Sequence, residues 1–179
     1  RKRITTWIKD QSMDWISQFG YDKFALEMFW EEMVELLESS LLTGNNKDNK
    51  GDSKNAENTF HLELNQENAK SDYATWYMRI LTCAKLKSDA NRFLPYIEGE
   101  EVDVPTFCQR QVEPMGRECG MVQILALAEV LRVQVEIEYL DGHAFEEKLV
   151  RHVFGSEGAK LVLTFLYRPG HYDILYKKE

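Results

Sequence analysis

The 179 residues are 44% hydrophobic and 12% aromatic, enough apolar side chain for one substantial core, so a single domain over 1–179 is expected. A net charge of -8, with basic clusters only at Arg1-Lys2-Arg3 and Lys177-Lys178, argues against a phosphate-neutralising face and hence against nucleic acid as a partner. No run reaches the roughly 18 apolar residues needed to cross a bilayer, so no membrane partner is expected. The three cysteines, Cys83, Cys108 and Cys119, have neither metal-ligand spacing nor an even framework, which excludes zinc and favours a reducing compartment, cytoplasm or nucleus.

Taken in chain order, Ile4, Trp7, Ile8, Trp15 and Ile16 recur at helical spacing and predict a helix stopped by Gly20. A second helix is predicted from the N-cap Asp22. It carries Leu26, Phe29, Trp30, Met33, Val34, Leu37 and Leu41 on one stripe and Glu27, Glu31, Glu35 and Glu38 on a solvated face. Residues 43–70 are rich in Asn, Asp, Lys and Glu, a composition that does not offset the entropy of ordering, so a disordered insertion within the domain is expected. Phe60 to Leu64 is its one candidate edge strand. A third helix is predicted from Ser71-Asp72 to about Lys87, and a short one from Ser88-Asp89 to Pro95. Another runs from the N-cap Asp103, with Pro105 in its first turn, to about Val112.

Met121 to Leu131 is apolar and of helix length. It runs straight into Val133 to Tyr139, whose period-two alternation is the clearest strand signal in the chain. After Asp141-Gly142, a strand is expected from about Ala144 to Val153 and a loop from Gly155 to Gly158. The nearly continuous apolar run Leu161 to Tyr167 then reads as a strand buried on both faces. Pro169-Gly170 suits the central positions of a type II turn, making the last two strands a hairpin. The fold class is therefore α/β (α+β), with helical layers packed on a small, mostly antiparallel sheet.

Just past that turn, His171 and Asp173 stand two residues apart. Strand alternation sends them to one face and Tyr172 to the other. A carboxylate beside an imidazole selects its tautomer and supports its charged form, as a general base for a thiol or hydroxyl requires. The plain alternative is a histidine that merely caps a hairpin. Cys119 precedes a predicted helix N-terminus, a setting that suits a nucleophilic thiol. A small buried thiol is the expected reading for it nonetheless, as for Cys83 and Cys108. Arg117 and Glu118 read as ordinary helix-start charges, and His61, His143 and His152 show no metal spacing.

Several strings resemble the otubains, a branch of the ovarian-tumour-type cysteine proteases that remove ubiquitin. They are Ser71-Asp72-Tyr73 with Tyr77 to Leu81, Phe93 to Gly99, Phe107-Cys108-Gln109 with Val112-Glu113-Pro114-Met115, and above all Arg168 to Tyr176. The resemblance implies a papain-like cysteine protease fold, no cofactor, His171 as general base and Asp173 as its orienter. It also implies ubiquitin or polyubiquitin as partner, with a ubiquitin-conjugating enzyme as a second. The family nucleophile belongs to an Asp-Gly-Asn-Cys type motif that this sequence lacks. The chain is therefore expected to be the C-terminal portion of a ubiquitin-specific thiol isopeptidase, with its N-terminal part missing, the cysteine upstream of Arg1 and no activity alone. Two alternatives stand beside it: a non-catalytic module binding ubiquitin or a conjugating enzyme, and a thiol hydrolase using Cys119. Where otubains usually carry Ser-Asp-His, this chain has Cys119-Gly120-Met121.

Overall fold

A computed structural model describes residues 2–45, 60–62, 64–65, 70–97, 103–140 and 150–176. The first predicted helix is one continuous rod in three pieces: α1 (Lys2–Trp7), a π-helical turn (Ile8–Ser12) and α2 (Met13–Ser17). The π turn is stabilised by a buried polar chain. Ser12 Oγ donates to the Ile8 carbonyl at 2.5 Å and Trp30 Nε1 to the same oxygen at 3.0 Å. With the Ser12 hydrogen so used, Tyr77 donates to Ser12 Oγ at 2.6 Å. Burial raises the Tyr77 pKa to about 12, the Ser12 contact working against it.

α3 (Lys23–Asn45) starts where Asp22 Oδ1 accepts from the Ala25 amide at 2.9 Å, the predicted N-cap. α4 (Lys70–Ser88) packs along it, burying Leu26, Met33, Tyr77, Ile80 and Leu81 with Ile8 and Ile16. The acidic face of α3 is solvated as expected, with Glu27, Glu31, Glu35 and Glu38 all exposed, and two of them form surface ion pairs, Glu38 with Lys9 at 2.7 Å and Glu35 with Lys70. Phe60 to Leu62 is helical rather than an edge strand. Most of the predicted insertion, residues 46–59 and 66–69, lies outside the described residues.

A second core lies beneath α5 (Ala90–Phe93), the 3-10 turn Leu94–Tyr96, α6 (Val104–Phe107) and a second π turn, Cys108–Val112. Asp103 caps α6 by accepting from the Thr106 amide at 2.8 Å. Cys83, Leu86, Phe93, Val112 and Ala126 are buried there, the last from α7 (Met121–Leu131).

α7 turns into the sheet within two residues, through Arg132 in the left-handed region at φ 52. The Arg132 and Val133 amides close on the Glu129 and Ala128 carbonyls, both at 3.0 Å, a Schellman-type ending. The strands are β1 (Gln134–Tyr139), β2 (Val150–Gly155), β3 (Leu161–Arg168) and β4 (His171–Leu175), in the order β2-β1-β3-β4. β1 pairs antiparallel with β2 and parallel with β3, and β3 pairs antiparallel with β4. Thus the sheet is mixed, with antiparallel pairs in the majority. Gly155 ends β2 at φ 113 and passes so close to β1 that a Cβ would sit 2.0 Å from the Val133 carbonyl, so only glycine fits.

Two strand expectations need correction. β2 runs on to Gly155, past Val153, while 144–149 lie outside the described residues. β3 is not buried on both faces: Leu161, Val162 and Leu163 are 36%, 46% and 41% exposed. The reason is that α7 lies over β1 and β2, covering Val133, Val135 and Ile137 and leaving the first half of β3 open.

Candidate active site

The β3–β4 hairpin builds the site from local rules. Pro169 and Gly170 close it, with Gly170 at φ 75 as a type II turn requires, so Arg168 and His171 become cross-strand partners. Alternation then places Arg168, His171 and Asp173 on one face. On the other, Tyr172 stacks with Tyr167 and Phe165 at 5.0 and 6.1 Å between ring centroids and packs toward α7.

The structure brings His171 and Asp173 together, with Nε2 3.1 Å from Oδ1. Arg168 Nη2 donates to the other oxygen, Oδ2, at 2.6 Å. These bonds, that from His171 first and that from Arg168 second, hold the Asp173 carboxyl below its ordinary range. An ionised carboxylate only accepts, so Nε2 carries a proton, and in the neutral form of the ring Nδ1 presents a lone pair. Among the described residues nothing bonds to Nδ1. Chemically, an imidazole so arranged, with one nitrogen held and the other open to a donor, can serve as a general base for a thiol.

The cysteines are placed less helpfully. Cys83 and Cys108 are fully buried, the Cys108 thiol donating to the Cys83 carbonyl at 3.8 Å. Contact with Cys108 and burial push the Cys83 thiol far up, the character of a structural thiol. Cys119 departs from the buried reading and is exposed, just ahead of Gly120, the N-cap of α7. The Tyr172 pKa is raised by burial first, then by Tyr139, Tyr167, Cys119 and Glu118. Tyr172 belongs to the helix side of β4 and His171 to the opposite side. No hydrogen bond joins Cys119 to His171 among the described residues.

Two residues important to the site were missed from sequence. Arg168 was read only as part of a motif, although its place directly across a two-residue turn from His171 was a usable signal. Arg79 on α4 donates to the Val112 carbonyl at 2.9 Å and the Arg117 carbonyl at 2.6 Å, pinning the loop that leads to Cys119; nothing local announced that. At the start of α7 a largely apolar groove of about 560 Å³ opens between Tyr96, Ile97, Phe107, Met121, Leu125 and Phe154. No cluster of three metal-ligating side chains occurs among the described residues. His152 stacks edge-on against Tyr139 at 5.2 Å, and His143 lies outside the described residues.

A mixed sheet flanked by helical layers, with an imidazole and a carboxylate on its last hairpin, is the architecture of the papain-like hydrolases. The family model described as Peptidase C65 Otubain matches residues 2–177, and the chain belongs to the otubain family. It is 36% identical over 165 residues to the ubiquitin thioesterase OTUB1 of Rattus norvegicus, covering 92% of this chain and 55% of that protein. The human OTUB1 is 35% identical over the same length and the same shares. The chain thus spans about 55% of the length of these curated relatives. Among solved structures, the complex described as h/ceOTUB1-ubiquitin aldehyde-UBCH5B~Ub superposes with a TM-score of 0.82 at 25% identity, covering 99% of this chain and 65% of that one.

Proposed function

We propose that these residues form the histidine-bearing part of a cysteine deubiquitinase that hydrolyses the isopeptide bond between the C-terminal glycine of ubiquitin and a lysine side chain. The observation that carries the reading is the His171–Asp173 contact of 3.1 Å with Nδ1 left open. His171 Nδ1 takes the thiol proton, the thiolate attacks the carbonyl, and the same imidazole protonates the departing lysine amine. Water, deprotonated in turn by Nδ1, then releases ubiquitin from the acyl-enzyme. Asp173 keeps the ring oriented and stabilises it while it is charged.

The thiol comes from outside these 179 residues. Supporting this, Cys83 and Cys108 are sealed in the core, and no hydrogen bond joins the exposed Cys119 to His171 among the described residues. Ubiquitin is the substrate, and a ubiquitin-conjugating enzyme a second partner. The relatives named above support this, being ubiquitin thioesterases or a complex with ubiquitin aldehyde and UBCH5B~Ub. The apolar groove at the start of α7 suits a protein substrate, since it exposes Tyr96 and Met121 by 68% and 50%. The working compartment is the cytoplasm, with the nucleus as a second site.

The test is a ubiquitin derivative with a thiol-reactive C-terminus, applied to the whole protein. An adduct on a cysteine outside 1–179, slowed by His171→Ala, supports the reading. Tight binding with no adduct replaces it by a binding module, and an adduct on Cys119 by a hydrolase built within this chain.

A further inference from the structure

Asp173 has two oxygens and two donors. From β3, the Arg168 guanidinium reaches diagonally across the hairpin to Oδ2 at 2.6 Å, while Oδ1 meets Nε2 of His171 at 3.1 Å. The side chains of Arg168, Asp173 and His171 are 50%, 43% and 59% exposed. At such exposure an isolated imidazole–carboxylate pair is weakly held, because water competes for both partners. The terminal torsion of an aspartate is also broad and roughly two-fold, so an untethered carboxylate rotates away from the ring easily. A second, charged donor on the far oxygen removes that freedom.

We propose that Arg168 is a positioning residue: from across the turn its guanidinium fixes the Asp173 carboxylate, which keeps the imidazole proton on Nε2 and Nδ1 open as the base. Its catalytic meaning rests on the function proposed above, whereas its geometric content does not. Arg168 touches no reacting atom and acts only through Asp173. The fold supplies the arrangement cheaply. A two-residue turn makes Arg168 and His171 register partners, and period-two alternation brings Asp173 to the same face. Arginine suits the role better than lysine, since its planar donors match the plane of a carboxylate and lose less freedom in binding it.

The experiment compares the wild-type whole protein with Arg168→Gln and Arg168→Lys. Nitrogen-15 NMR of the His171 ring, at a pH where the ring is neutral, reads which nitrogen carries the proton. Wild type is expected to hold it on Nε2, Arg168→Gln to share it between Nε2 and Nδ1, and Arg168→Lys to lie between. In cleavage of a ubiquitin conjugate, Arg168→Gln is expected to lower kcat roughly ten- to a hundredfold, by analogy with the loss of an outer partner of a metal-bound histidine. KM should stay within about twofold, because no ground-state contact is lost. A ring that keeps its proton on Nε2 in Arg168→Gln overturns the proposal. If the β4 amide signals show that variant unpaired from β3, the same criterion is applied to Arg168→Met, which keeps the aliphatic stem and removes every donor. A proton shift in a protein that cleaves nothing upholds the positioning and removes the hydrolase reading. An unchanged proton in an active enzyme removes the positioning alone.

Discussion

In an Asp173→Asn variant two donors compete for one oxygen. The native carboxylate serves both, Oδ2 to Arg168 at 2.6 Å and Oδ1 to His171 at 3.1 Å. The amide retains a single carbonyl oxygen and places an NH2 group at the other position. A hydrogen bond from a guanidinium is roughly twice as strong as one from a neutral N–H, so the oxygen turns to Arg168. The NH2 group then donates to Nε2 and drives the ring proton onto Nδ1, the atom that has to accept from the thiol. In a Ser-His-Asp triad such a wrong tautomer lowers kcat by roughly 10⁴. Here the three side chains are about half exposed. Water softens the preference, and the expected loss is about 10² to 10³.

The same reasoning reverses the effect of Arg168. Arg168→Gln, which slows the wild type, should speed Asp173→Asn by roughly three- to tenfold, because the amide oxygen is released to face Nε2. The assay is kcat on a ubiquitin conjugate for wild type, both single variants and the double variant, with nitrogen-15 shifts of His171 measured in parallel. Purely additive losses, with the double variant slower than Asp173→Asn alone, would refute the competition argument. So would an Asp173→Asn enzyme within about threefold of wild type.

Tyr77→Phe should lower stability by about 1 to 2 kcal/mol in urea unfolding, because it removes the donor to Ser12 Oγ while the ring still fills its site. Ser12→Ala should cost at least as much by orphaning a buried tyrosine hydroxyl, and the double variant less than the sum; additive losses would show that the two groups do not interact. Glu129 is held below its ordinary 4.5, by the Arg92 bond first and by Lys85, against the opposing effect of burial. A depressed folded pKa stabilises above the unfolded value and stops doing so as pH falls through the folded one. Wild type should therefore lose stability more steeply below pH 4.5 than Glu129→Gln does, in urea midpoints followed from pH 7 to pH 3. Iodoacetamide on the native 179-residue chain should modify Cys119 alone, Cys83 and Cys108 reacting only after unfolding; mass spectrometry of the digested protein decides it.

Much of the local architecture was legible in the sequence. Asp22 and Asp103 are N-caps because a short carboxylate reaches an amide three residues on, and both bonds form as read. The Pro169-Gly170 turn is legible because proline presets one dihedral and glycine accepts the positive one. Both π turns escaped notice, because the apolar spacing around Ile8 and Cys108 is compatible with an ordinary helix. What stabilises the first of them is a side chain 65 residues away, Tyr77. The exposure of β3 was also misread, because an apolar run shows that a strand tends to be covered and not where the covering helix ends.

For the site, period two alone placed His171 and Asp173 on one face, because an interval of two residues is set by the pleat and needs no distant partner. Arg168's hold on Asp173, Arg79's hold on the Arg117 loop and the exposure of Cys119 were settled only by the folded chain. So was the parallel pairing of β1 with β3, two strands joined through β2 on the far edge of the sheet. Caps, turns and alternation arise from groups within a few bonds or one turn of each other, and composition announces them. Pairings across the chain depend on which surfaces the core brings into contact, and that is decided when helices and sheet bury their apolar faces together.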